Sequence, residues 1–147
     1  MLSRTLRAPH LPLLRTSLTH PSRPFTTTHP RLKIYPNVTP TTFQSLVLHP
    51  SPTHTQTLIL VDFYATWCQP CKLLSPSLEK IATDPTIVGG KLVDLVTVDV
   101  DRNQQLAQQF KVSAMPTVLA MKDGKVIDGF VGMLPEKKLI EFVKNLK

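Results

Sequence analysis

Hydrophobic and polar positions after residue 33 follow two alternating patterns, one strand-like and one helix-like. The clearest run, LILVDFYA at residues 58–65, is nearly unbroken apolar sequence of strand length, which is typical of a central strand covered on both faces. Asp123-Gly124 is a two-residue hairpin signal between two further apolar runs. The pattern predicts strands at residues 34–35, 58–65, 92–100, 117–121 and 126–131.

The helix-like runs place apolar residues three and four positions apart, so that they share one face. The first helix is predicted from an N-cap at Thr39 through about Val47, and a loop follows at residues 49–57. Pro135 starts the last helix, and residues 103–110 form another. The remaining helix follows the cysteines, contains Pro76 and is predicted to end at Asp84-Pro85. Its predicted apolar face consists of Leu73, Leu74, Leu78, Ile81 and Ala82.

The predicted order of elements is β-α-β-α-β-α-β-β-α. Strands that alternate with helices favour parallel crossovers, and the final hairpin is antiparallel. The sequence therefore predicts an α/β fold with a mixed central sheet that helices cover on both faces.

Charge divides the chain in two. The formal net charge is +7, and six of the seven excess charges lie before Asp62, where the chain has no acidic residue. The part from Asp62 onward is nearly neutral, with 11 basic and 10 acidic residues, and aromatic residues make up 6% of the chain. A nearly neutral domain with few aromatic residues argues against nucleic-acid binding. No run approaches the roughly 18 apolar residues of a membrane-spanning helix.

Residues 1–32 are rich in arginine, hydroxyl residues and proline, which is the composition of an organellar transit peptide. A secretory signal fits worse, because its apolar core would be interrupted at Pro12. The arginine content favours import into the mitochondrial matrix over import into a plastid. Cleavage of the transit peptide is predicted after Phe25 or Leu32. The alternative is an N-terminal tail without a targeting function, which would leave the protein in the cytoplasm. The predicted domain is residues 33–147.

The only two cysteines, Cys68 and Cys71, lie three residues apart at the start of the predicted helix. A zinc site needs about four ligands, and the only histidines past residue 32 are His49 and His54, so we predict no metal site. A structural disulfide that closes so short a loop contributes little stability. A helix start instead stabilises the thiolate of Cys68, and places Cys71 one turn later as a resolving thiol.

Several motifs occur together in the order and spacing of one family: VDFYATWCQPCK, VDVDRN, FKVSAMPT, KDG and FVGM. Residues 34–147 resemble the thioredoxin family, and with this leader the chain resembles a mitochondrial member. The resemblance implies the thioredoxin fold and a monomeric protein-disulfide reductase that binds no cofactor. Its electrons would come from NADPH through a flavin-containing thioredoxin reductase, and its targets would be disulfide-containing proteins such as peroxiredoxins.

The resemblance also implies roles for individual residues. Asp62, whose pKa we expect burial to raise, corresponds to the carboxyl group that takes the proton of Cys71. Pro116 corresponds to a cis-proline facing the disulfide. The groove that receives the partner protein would be lined by Trp67, Gln69, Pro70, Met115, Val131, Gly132 and Met133.

Two positions depart from the family pattern. Gln69 replaces the usual glycine, which predicts a changed target preference or reduction potential with the chemistry retained. Thr97 replaces a lysine that many bacterial members place beside the buried acid. Two other functions remain open from sequence: a disulfide oxidase or isomerase of the same fold, and a binding or chaperone module that uses the groove without turnover.

Overall fold

The computed structural model describes residues 33–50 and 57–147. The predicted transit peptide and most of the loop predicted at residues 49–57 lie outside the described residues. In the described parts the strands are β1 Ile34–Tyr35, β2 Leu58–Tyr64, β3 Val93–Asp99, β4 Thr117–Lys122 and β5 Lys125–Val131. The α-helices there are α1 Pro40–Phe43, α2 Gln69–Thr83, α3 Gln104–Gln109 and α4 Glu136–Asn145. None of the helices described is both long and apolar enough to cross a membrane.

The strands form one sheet in the order β1-β3-β2-β4-β5. β3 pairs in parallel with β1 and β2, whereas β4 runs antiparallel to both β2 and β5. β2 therefore lies at the centre, which explains its nearly unbroken apolar sequence. The mixed sheet predicted from the sequence is confirmed.

Alternation along β2 sorts its side chains between the two faces of the sheet. Leu58 and Leu60 pack with α2 and α4, whereas Ile59, Val61 and Phe63 pack with the other core, to which α1 and α3 contribute. By the same alternation Asp62 lies on the α2 side. The sheet thus places the carboxyl group of Asp62 on the side covered by the helix that follows the first cysteine.

The first helix differs from its prediction. Thr39 is its N-cap, as expected, and accepts a hydrogen bond from Thr42 N at 3.3 Å. The α-helix ends at Phe43 and continues as a π-helix over Gln44–Leu48, whose wider turn is closed by a 2.9 Å hydrogen bond from His49 N to Gln44 O. The predicted apolar face of Phe43, Leu46 and Val47 spans both segments, so the sequence pattern does not separate them.

A second difference follows α2. The predicted stop at Asp84-Pro85 is confirmed, but the chain then makes a short 3₁₀-helix, Pro85–Val88, that the sequence pattern did not indicate. The carboxylate of Asp84 caps this segment by accepting a hydrogen bond from Thr86 N at 3.0 Å. Four residues are too few to show a helical period, which is why the pattern missed it.

Candidate active site at the start of the second helix

The two cysteines lie where β2 gives way to α2. Cys68 is the N-cap of this 15-residue helix, and its Sγ accepts a hydrogen bond from Cys71 N at 3.2 Å. Pro70 lies in the first turn, where its missing N–H leaves no helical hydrogen bond unmade. The two residues form a disulfide, with their Cα atoms 5.4 Å apart. Cys68 Sγ is therefore at the positive end of the helix dipole, an environment that favours a thiolate when the disulfide is reduced.

Both cysteines are nearly buried, with 4% of Cys68 and 1% of Cys71 exposed. Together with Ala65 they form a small apolar cluster, against which Tyr64 and Met115 pack.

The Met115–Pro116 peptide bond is cis, and Pro116 is buried at the start of β4. The carbonyl oxygen of Pro116 accepts a 2.7 Å hydrogen bond from Gly132 N. Gly132 has a φ of +88°, a left-handed conformation that favours glycine. This bond holds the turn after β5 next to the segment that packs on the cysteines.

The predicted groove residues lie beside the cysteines in sequence, on the segment that packs against them, or in the turn that is hydrogen-bonded to that segment. Trp67, Val131 and Met133 have 63%, 64% and 51% of their surface exposed, which is unusual for large apolar side chains. Gln69 and Pro70 are also exposed, and Met115 is half-buried. Such a cluster of exposed apolar residues is typical of a surface that receives another protein.

A depression of about 250 Å³ lies beside Met115. It runs along α3 and the segment that precedes the cis-proline. Its lining consists of Val100, Gln104, Ala107, Gln108, Val112, Ser113, Ala114 and Met115. It extends the surface around the disulfide with uncharged polar and small apolar groups.

One sequence prediction about α2 is wrong. Leu73 was expected on the buried apolar face with Leu74 and Leu78, but 68% of its surface is exposed. Leu73 lies three and four positions after Pro70 and Gln69, so it shares their face of the helix. Its neighbour Leu74 points about 100° away and is buried. Leu73 therefore adds to the exposed apolar surface beside the cysteines.

A polar contact that the sequence did not predict holds the tryptophan. Trp67 Nε1 donates a 3.0 Å hydrogen bond to Asp101 Oδ2. Asp101 is positioned in turn by Asp99, whose Oδ1 accepts from Asp101 N at 3.0 Å. The VDVDRN motif contains both aspartates, but the contact with Trp67 joins residues 34 positions apart and is visible only in the fold.

Asp62 has only 2% of its surface exposed, and burial raises its pKa to about 7. No residue in the described parts of the chain donates a hydrogen bond to its buried Oδ1. In the sheet Asp62 pairs with Thr97 of β3, whose Oγ1 accepts a 3.0 Å hydrogen bond from Asn37 N. The residue at this position, Thr97, is uncharged.

Asp62 opens onto a cavity of about 190 Å³ between β2, α2 and the segment after β1. The cavity is lined by Ile34, Pro36, Asn37, Asp62, Tyr64, Ser75, Glu79, Leu95 and Thr97. Ser75, Glu79 and Thr97 contribute polar groups to this lining. Nowhere in the described parts do three or more histidine, cysteine or acidic residues come together as a group that could hold a metal ion.

The geometry of the site defines its chemical class. A disulfide across the first turn of a helix, beside a cis-proline and above a buried carboxyl group, is a dithiol–disulfide centre on a mixed α/β sheet. The thioredoxin family model matches residues 34–145. The chain belongs to the thioredoxin family.

Individual relatives agree with this placement. The chain is 47% identical over 93 residues to a bovine protein named "Thioredoxin, mitochondrial", a match that covers 63% of this chain and 54% of that protein. It is 45% identical over 82 residues to thioredoxin from Staphylococcus haemolyticus, covering 56% of this chain and 75% of the bacterial protein. The match thus spans about half the length of the mitochondrial relatives.

Solved structures show the same fold. Thioredoxin from Malassezia sympodialis superposes with a TM-score of 0.64 at 33% identity, covering 80% of this chain and 94% of the other. Thioredoxin from Fasciola hepatica superposes with a TM-score of 0.56 at 39% identity, covering 65% and 86% respectively.

Proposed function

We propose that this protein is a protein-disulfide reductase that exchanges its Cys68/Cys71 dithiol with disulfides of other proteins. The observation that carries the proposal is the position of Cys68 Sγ at the N-terminus of α2, with Cys71 one turn later and bonded to it. This arrangement supplies both a stabilised thiolate and a second thiol within reach of the first.

In the first step the Cys68 thiolate attacks one sulfur of the target disulfide. A bond forms between Cys68 Sγ and that sulfur, the target S–S bond breaks, and the other target sulfur leaves as a thiolate that takes a proton from solvent. The exposed apolar groups around the disulfide, Trp67, Val131 and Met133, would hold the target chain. The left-handed backbone at Gly132 leaves room for its close approach.

In the second step Cys71 attacks Cys68 Sγ and releases the reduced target. Cys71 must first lose its proton, and Asp62 is the proposed acceptor, acting through water. A carboxyl group with a pKa of about 7 is suited to this task near neutral pH, because it accepts and releases a proton with similar ease.

The oxidised protein would be reduced again by a flavin-containing, NADPH-dependent thioredoxin reductase, and the chain itself would bind no cofactor. Peroxiredoxins are a target class that the family membership suggests. The names of the mitochondrial relatives, together with the arginine-rich residues 1–32, support import into the mitochondrial matrix with cleavage after Phe25 or Leu32. We propose that the protein acts as a monomer.

The test is NADPH consumption by the full chain with thioredoxin reductase and a protein disulfide. Wild type should reduce the target, whereas Cys68→Ser should abolish turnover. Cys71→Ser should stop after the first step and accumulate a mixed disulfide that mass spectrometry detects under non-reducing conditions. If wild type consumes no NADPH, or Cys68→Ser retains its activity, the reductase function is refuted.

The same assay tests the role of Gln69. Its exposed side chain adds bulk and hydrogen-bonding capacity next to Cys68. Gln69→Gly should change the preference among targets or the reduction potential of the pair while leaving turnover intact. Identical target rates and an identical potential for the two proteins would contradict this role.

A further inference from the structure

We propose that Glu79 is the outer proton acceptor of the second step. Asp62 receives a proton from Cys71, and Glu79 takes that proton from Asp62 through the cavity beneath α2. This inference rests on the proposed function and adds a residue to it. Three independent features of the structure support it: the spacing along α2, the unpartnered oxygen of Asp62, and the identity of the charged groups around the cavity.

Cys71, Ser75 and Glu79 follow one another at intervals of four along α2, so they share one face of the helix. This face runs from the interior to the surface: Cys71 is buried, Ser75 is half-buried and Glu79 is exposed. Ser75 Oγ donates a 2.9 Å hydrogen bond to Cys71 O and also lines the cavity. The helix therefore places a carboxylate at the surface two turns from the resolving thiol.

The cavity joins this helix face to Asp62. Asp62 Oδ1 is buried, has no donor among the described residues and lines the same space as Ser75 and Glu79. Buried polar atoms normally have a hydrogen-bond partner, so this oxygen is the place for a water. A water needs only ~10–15 Å³ of such space, and the cavity offers about 190 Å³. Thr97 Oγ1 accepts from Asn37 N and keeps its own proton to donate into the cavity.

The ionisable side chains that line the cavity, within the described residues, are Asp62, Tyr64 and Glu79. Tyr64 donates its hydroxyl proton to Asn37 Oδ1, and burial together with the nearby Asp99 raises its pKa, so it stays protonated. β3 and the segment after β1 contribute only uncharged groups to the lining.

Outside the cavity lining, the charges of Asp99 and Arg102 act on Tyr64. Lys80, the cation next to Glu79 on α2, forms an ion pair with Glu136 of α4, with 2.5 Å between Nζ and Oε1. Glu79 is thus the lining group that can receive a proton from Asp62 and pass it to solvent.

The proton on Cys71 Sγ passes through water to the Asp62 carboxylate, and the Cys71 thiolate forms the bond to Cys68 Sγ. The bond between Cys68 and the target breaks, and the target sulfur leaves with the electron pair. Asp62 regains its negative charge when its proton moves through cavity water to the Glu79 carboxylate and then to bulk solvent.

The experiment measures repeated turnover, because Asp62 must lose its proton before it serves the next cycle. A catalytic amount of full-length protein is mixed with thioredoxin reductase, NADPH and excess target disulfide, and release of reduced target is followed from pH 6 to pH 8.5. Glu79→Gln should slow release by about 3- to 10-fold at low buffer concentration, less than the ~10²-fold or more lost with a direct general base. Because the substitution slows proton transfer, a small proton-carrying buffer such as imidazole at high concentration should restore the rate.

Glu141→Gln is the matched control, because it removes the same charge from an exposed position of α4 outside the cavity. It should leave the rate unchanged. In an Asp62→Asn background Glu79→Gln should have no further effect, since both residues act on one proton. Equilibrium unfolding of Glu79→Gln in urea should have the same midpoint as that of wild type, as for other surface changes.

A Glu79→Gln rate equal to that of Glu141→Gln would overturn the proposal, as would an undiminished effect in the Asp62→Asn background or a lack of buffer rescue. These outcomes leave wild type active in target reduction. Failure of the reductase function itself would instead appear as no target release by wild type, so the two failures are distinguishable.

Discussion

Replacing Asp62 by asparagine should make the protein more stable at neutral and alkaline pH. Asp62 has 2% of its surface exposed, no hydrogen-bond donor to Oδ1 among the described residues, and no cation at the paired position Thr97. Burial therefore penalises the charged form of the carboxyl group, whereas an amide of similar shape carries no charge at any pH.

The magnitude follows from the difference in pKa between the folded and the unfolded protein. Burial raises the pKa of Asp62 from 3.8 to about 7, and each pH unit of that difference corresponds to ~1.4 kcal/mol, giving about 4 kcal/mol in all. A raised folded pKa means that the unfolded chain loses its proton first. The stability is therefore fully present below about pH 4, is lost as pH rises to about 7, and is constant above that.

The assay is equilibrium unfolding of the oxidised protein in urea at several values from pH 4 to pH 9. The free energy of unfolding of Asp62→Asn, minus that of wild type, should rise by about 4 kcal/mol across this range. Asp128→Asn, the same amide replacement on the exposed edge of β5, is the control for the substitution itself. A pH-independent difference for Asp62→Asn would refute the reasoning that burial alone controls this carboxyl group.

Two further predictions concern the surroundings of the site and the hairpin. Asp101→Ala removes the acceptor of the Trp67 Nε1 hydrogen bond, so the emission anisotropy of this only tryptophan should fall, whereas Asp101→Asn keeps an acceptor oxygen and should preserve it. Equal anisotropy for the two variants would show that the bond does not restrain the indole. Gly124→Ala places a Cβ 2.4 Å from Leu48 O at a φ of +76°, and should destabilise the protein by more than the roughly 1–2 kcal/mol of left-handed strain alone. Gly132→Ala, at a φ of +88° with nothing within 4 Å of its Cβ, should lose only that strain, and similar losses in urea unfolding would contradict the clash at Gly124.

Much of the fold follows from local sequence. The apolar run of β2, the Asp123-Gly124 hairpin and the stop at Asp84 were each predicted to within a residue or two, because each depends on neighbours along the chain. The same holds for the chemistry of the cysteines, since a helix start is a local feature and Cys68 is the N-cap of α2. The roles assigned to Cys68, Cys71 and the groove residues stay predictions until the variants are measured.

Other features depend on contacts between distant residues. Leu73 belongs to the same periodic run as Leu74. The packing of α2 on the sheet buries Leu74 and leaves Leu73 exposed to solvent. The unpartnered oxygen of Asp62 likewise depends on what β3, α2 and the segment after β1 place around it.

By itself the sequence determined the order of the strands and α-helices and the cysteine pair at a helix start, because helix periods, strand alternation and helix caps are set within a few residues. Only the tertiary structure decided that Glu79 shares a cavity with Asp62, and that Asp101 holds Trp67. Those pairs lie 17 and 34 positions apart in the sequence. Nothing in the local pattern brings them together, and it is the strand register and the packing of α2 on the sheet that do so.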